Sequence, residues 1–150
     1  MNTTTSLTTS PPDLRHPTLA GLLGLGVYVA AMVAGEAFGL NADSSGTSAG
    51  QWAITGLIAV AGLAIGVAFG LRGWTGATQR LARIALGLAL ASAVLFMAFW
   101  SGWPSVFSAV AVGLALEHRR RIGSLDLSVG VAAGLGTLVF VATAIVCVIG

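Results

Sequence analysis

Glu36 stands near the end of the first long apolar stretch, and an ionisable group inside such a stretch is by default a candidate for proton or cation chemistry. Further charge in close spacing occurs at Glu117-His118-Arg119-Arg120-Arg121. There Arg119, Arg120 and Arg121 could hold anionic lipid headgroups, each worth on the order of 1 kcal/mol near a charged surface. The same arginines also serve as a plain topology anchor at a helix end. His118 among them reads as a solvated side chain, not as a proton-responsive group. Arg80 and Arg83 lie one helical turn apart, and Arg83 either snorkels toward water or pairs with Glu117 or Asp126.

The sets that enzymes use are missing. The two histidines are far apart and near predicted interfaces, so no metal-ligand cluster arises. No Ser–His–Asp or Cys–His combination falls at a common depth. There is no Walker loop, and Gly21, Gly24 and Gly26 lie inside an apolar helix, not after a strand, which removes a dinucleotide reading. The expectation is therefore no catalytic residue, no cofactor, no metal and no enzyme. Cys147 is the one cysteine, so no internal disulfide can form. The basic residues are all arginine and sit in short loops, which suits membrane orientation and argues against nucleic acid as a partner.

Around Glu36, the run Val33-Ala34-Gly35-Glu36-Ala37-Phe38-Gly39 resembles the first helix of the small multidrug-resistance exporters, where a membrane glutamate alternates between proton and cation. The resemblance implies a transport role for Glu36. It covers this run alone: those exporters have four helices, and their glutamate lies near mid-span, whereas Glu36 lies close to a predicted end. Read from its neighbours alone, Glu36 is a carboxylate that ends helix one at the outer interface.

Long apolar blocks must position these groups. The chain is 56% hydrophobic and 8% charged, where a soluble domain carries about 25% charged residues. The blocks predict spans at about 18–38, 52–71, 81–100, 103–117 and 126–149. Residues 1–17, rich in threonine and proline, read as a disordered polar tail without a signal-peptide pattern, and its Asn2-Thr3-Thr4 sequon as chance. Pro17 suits the first turn of helix one. Ser101-Gly102-Trp103-Pro104 predicts a tight reversal, and Ser124 a cap for helix five with Asp126 in its first turn. The fourth span is short, reaching only about 21 Å before its charged end.

The strongest local pattern is in helix two, where Gly62, Gly66 and Gly70 recur every fourth residue and form one bare stripe. In lipid such a stripe lets a second helix approach closely. This predicts helix two as the central helix, with a groove open to a partner. Gly130 and Gly134 repeat the spacing in helix five, as do Ala109 and Gly113 in helix four.

The expected fold is an all-α polytopic transmembrane helical bundle of five spans with short loops. Placing the N-terminus inside and the C-terminus outside puts every arginine on the cytoplasmic side, and Trp52, Trp74, Trp100 and Trp103 at span ends. The expected setting is the plasma membrane of a bacterium, by composition a GC-rich one. The expected role is a packing or accessory subunit, or a regulator, of a membrane complex. It would contact the lipid bilayer and, through helix two, a second copy or another membrane protein. The alternative is a small oligomeric transporter or channel using Glu36.

Overall fold

The computed structural model describes residues 16–40, 48–124 and 126–149. These form α1 (Pro17–Ala37), α2 (Ala49–Trp74), α3 (Thr78–Val94), α4 (Trp103–Ile122) and α5 (Leu127–Ile149), with a 3₁₀ segment over Leu95–Ser101 between α3 and α4. The expected polar tail up to residue 15, its sequon, and most of the loop after α1 lie outside the described residues. Pro17–Ala37, Ala49–Trp74, Thr78–Ser101 and Leu127–Ile149 are long and apolar enough to cross a membrane, which makes this a multi-pass membrane protein.

α4 falls outside that set because Glu117, His118 and the arginines fill its last turns, yet the bundle is built around it. It touches every other helix, and every residue from Pro104 to Ala111 is buried. A helix buried on all faces belongs at the centre, so the organising element is α4 and not, as the glycine stripe suggested, helix two. It is also longer than expected. Its 20 residues reach about 30 Å, continuing through the arginines to Ile122. Gly123, in the left-handed region at φ 80°, then ends the helix, its N–H donating to the Arg119 carbonyl at 2.7 Å.

The surrounding helices turn many small residues inward, among them Gly21 and Gly24 of α1, Ala85 and Ala89 of α3, and Ala132 and Gly136 of α5, with Leu81 and Leu88 of α3 and Val129 of α5 as larger exceptions. Bulky residues such as Leu57, Val94, Met97 and Leu138 point outward. Lipid tails are as apolar as leucine, so burying large side chains gains little, and close backbone approach is what holds helices together.

The stripe of α2 follows this rule, and α4 fills it. A Cβ at Gly62 would lie 2.7 Å from Nε1 of Trp103, and one at Gly66 would lie 3.0 Å from both Val106 and Phe107. One at Gly70 would meet Pro17 at 2.6 Å and Val110 at 2.7 Å. The groove read from the sequence is thus closed by the chain itself. Gly24 is the least forgiving, since a Cβ there would sit 2.6 Å from the Ser105 backbone carbonyl, which cannot give way as a side chain can. On α5 the packing glycine is Gly136, 3.2 Å from the Ser108 carbonyl by the same measure; around Gly130 and Gly134 there is open space. These pairings run α2 parallel to α4, with α1, α3 and α5 opposed.

The reversal before α4 is locked by aromatics. Ala98 leaves helical geometry at φ −106°, ψ 42°, and Gly102 takes a left-handed φ of 74°. The Tyr28 hydroxyl donates to the Trp100 carbonyl across the bundle. Trp103 is half-buried rather than part of a lipid-facing belt. Its indole lies against Gly62 and Nε1 donates to the Ile58 carbonyl at 2.7 Å.

Gly62→Ala should therefore displace the indole and lower stability by about 1–3 kcal/mol. Gly56→Ala, where open space surrounds the Cα, should be neutral or slightly stabilising. Thermal unfolding in detergent of both variants checks this.

Candidate functional site at the arginine-bearing end

The start of α1, the end of α2, the start of α3, the end of α4 and the start of α5 meet at one end of the bundle. Arg72, Arg80, Arg83, Arg119, Arg120 and Arg121 therefore gather there. Glu117 is the carboxylate that orders this end. It is 5% exposed, too buried to remain charged without partners. Nε of Arg121, one turn later, donates to its Oε1 at 2.8 Å, and Nη1 of Arg120 lies 3.7 Å from its Oε2.

Held by Glu117, the Arg121 guanidinium reaches across to α2. Nη2 donates to the Trp74 carbonyl at 2.7 Å and Nη1 to the Gly76 carbonyl at 3.2 Å. The last carbonyls of a helix have no intrahelical donor and carry partial negative charge, so a cation there satisfies both needs. The guanidinium carbon also stands 5.7 Å from the Trp74 ring, and His16 packs on the same indole at 5.4 Å. Of the three arginines expected to meet lipid headgroups, Arg120 and Arg121 lie against Glu117 and Arg119 does not, and all three are exposed.

His118 is not solvated: it is 1% exposed. Its Nε2 lies 3.6 Å from Oδ2 of Asp126, and its Nδ1 has no hydrogen-bond partner. Asp126, rather than Ser124, takes the cap position of α5, its carbonyl receiving the Gly130 N–H at 2.8 Å. With Glu117 and Asp126 so used, Arg83 pairs with neither among the described residues.

Glu36 lies in the last turn of α1, at the opposite end, where it is exposed; its carbonyl accepts the Gly39 N–H at 3.1 Å. Along the spans, hydroxyls bond to their own helices: Ser92 to Ala89, Ser108 to Ser105, Thr137 to Ala133 and Thr143 to Val139. No group of three or more His, Cys, Asp or Glu able to hold a metal occurs among the described residues.

Sequence reasoning passed over two polar devices here. The Glu117–Arg121 spacing of four is a standard helical ion pair. Ser48 and Gln51 form a reciprocal capping box that starts α2 three residues before the expected Trp52.

Replacing Arg121 with glutamine should cost about 2 kcal/mol, because charged hydrogen bonds are lost and Glu117 is left short of donors. Arg119→Gln should stay within about 0.5 kcal/mol of the parent. Combining Arg121→Gln with Glu117→Gln should cost less than the sum of the single changes, read from unfolding midpoints.

Compared with known protein families, curated proteins and solved structures, the chain matches none.

Proposed function

We propose that this chain is a packing subunit of a larger assembly in a bacterial plasma membrane, crossing it five times with the N-terminus inside and the C-terminus outside. The observation that carries this reading is the outer face of α5. There Ala133, Gly134, Thr137 and Ala142, with Leu138, Val141 and Ile145 beside them, form a shallow, open apolar surface, and a Cβ at Gly130 or Gly134 would meet nothing. Elsewhere in the bundle the tightest glycine faces are filled by α4 or Pro17; here two glycines in register face outward with no neighbour, between larger apolar side chains. In lipid that arrangement favours close approach of a second helix.

Two features support the topology. All described arginines lie at one end, the side that the positive-inside rule assigns to the cytoplasm. α4, at about 30 Å, is as long as a hydrocarbon core is thick and runs beside the apolar helices over its whole length.

Native mass spectrometry of the protein extracted gently from its own membrane should give a heteromeric mass. Gly134→Leu should reduce that mass to the bare chain with no loss of thermal stability, since the fold leaves that position open. A monomer from both would overturn the proposal, and a homo-oligomer would replace it with self-assembly. A reporter joined after Arg121 should read cytoplasmic; a periplasmic reading would overturn the five-span arrangement.

A further inference from the structure

A cavity of about 530 Å³ opens beside the end of α4, between the first turns of α3 and α5, and its polar lining is Thr78, Gln79, Arg83, His118, Asp126 and Ser128. We propose that it binds an oxyanion of the phosphate class, either free in solution or carried as the headgroup of an anionic lipid.

The walls supply donors from several directions. Thr78 and Gln79 are the first two residues of α3, and the residue before them, Ala77, provides no side-chain cap. The first backbone bond of that helix is from the Leu81 N–H to the Ala77 carbonyl, so the N–H groups of Thr78, Gln79 and Arg80 have no acceptor within the helix. No acidic residue sits in that first turn to offset its positive dipole end. Ser128 stands in the first turn of α5, so a second helix N-terminus faces the same space. Arg83 adds a guanidinium that pairs with no carboxylate among the described residues.

His118 is the independent sign of a ligand. Its ring lines the cavity while being 1% exposed, its Nε2 is held no closer than 3.6 Å to Asp126, and its Nδ1 is unpartnered. A buried imidazole left this short of partners is costly unless something else completes its bonding. Asp126, the one carboxylate in the lining, has a largely exposed side chain, so Arg83 and the helix ends dominate the inner walls that an incoming anion would meet. A cation would meet that one carboxylate against Arg83 and the field of the five other described arginines at this end. The site is separate from the Glu117 network, so it goes beyond a general attraction of the arginine run for headgroups.

The test uses the full chain in nanodiscs and in mild detergent. Phosphatidylglycerol should be retained over phosphatidylcholine in native mass spectra, and Arg83→Gln should weaken that retention about tenfold. Arg119→Gln, equal in charge lost but outside the cavity, should change it less than threefold. Titration with inorganic phosphate separates the sources: if it displaces the lipid or binds alone with the same Arg83 dependence, the free anion is a ligand, and if it does neither, the lipid headgroup is. Retention that falls equally in the two variants, or no binding of either probe, would overturn the proposal. Arg83→Gln keeping the parent's thermal stability would show that the change is one of binding and not of folding.

Discussion

Everything in this bundle depends on how closely four helix backbones can approach α4. Where lipid surrounds the molecule, there is no gain from hiding large apolar side chains, and association rests on contact between surfaces. Gly24 against the Ser105 carbonyl, Gly62 against the Trp103 indole and Gly70 against Val110 and Pro17 are the points where a single methyl group would force the helices apart. Fixing α4 at the centre then fixes the rest. It is the partner shared by the other helices, so each needs only one bare face, and the opposite face is free to carry leucine, valine and phenylalanine into lipid.

A central helix still has to end somewhere, and its two ends are solved differently. At its start, Gly102 turns the chain in the left-handed region, and Trp103 ties the helix to α2 through the Ile58 carbonyl. At its far end the chain carries buried charge. Glu117 would be costly alone, but it orients Arg121, which satisfies carbonyls at the end of α2. The parallel course of α2 and α4 makes this possible, because it brings both C-termini, with their unpaired carbonyls, to the same end as the arginines. Ion pair, helix dipole and topology thus depend on one another.

The sequence made the number of helices and the approximate extent of the outer ones legible, because hydropathy tracks the apolar surface that the outer helices expose. For the same reason it misled about the centre. α4 is the least apolar helix by composition, since a helix shielded on all sides has no need of a lipid-facing side and its end reaches polar surroundings. The every-fourth-residue glycines marked a packing face on helix two, but spacing carries no label for the partner, and the partner proved to be α4. Identical spacing at Gly130 and Gly134 marks a face the bundle leaves uncovered. His118 was read as solvated from its arginine neighbours in the chain; burial came from α3 and α5, which its sequence neighbours could not announce.

These placements bear on where activity can reside. The centre of the bundle is occupied by α4, and the hydroxyls of Ser92, Ser108, Thr137 and Thr143 are committed to carbonyls of their own helices, which lowers their capacity to replace the hydration shell of a passing solute. Ser105 Oγ, buried within α4, is the exception and has no partner. Further unfilled bonding capacity lies towards the surface. Arg83, the uncapped start of α3 and the buried His118 ring converge at the arginine-bearing end, and Gly130 and Gly134 of α5 face outward. The proposed anion and the proposed partner helix would therefore both be met at the surface of the bundle, one through charge at its end and the other through close packing along its side.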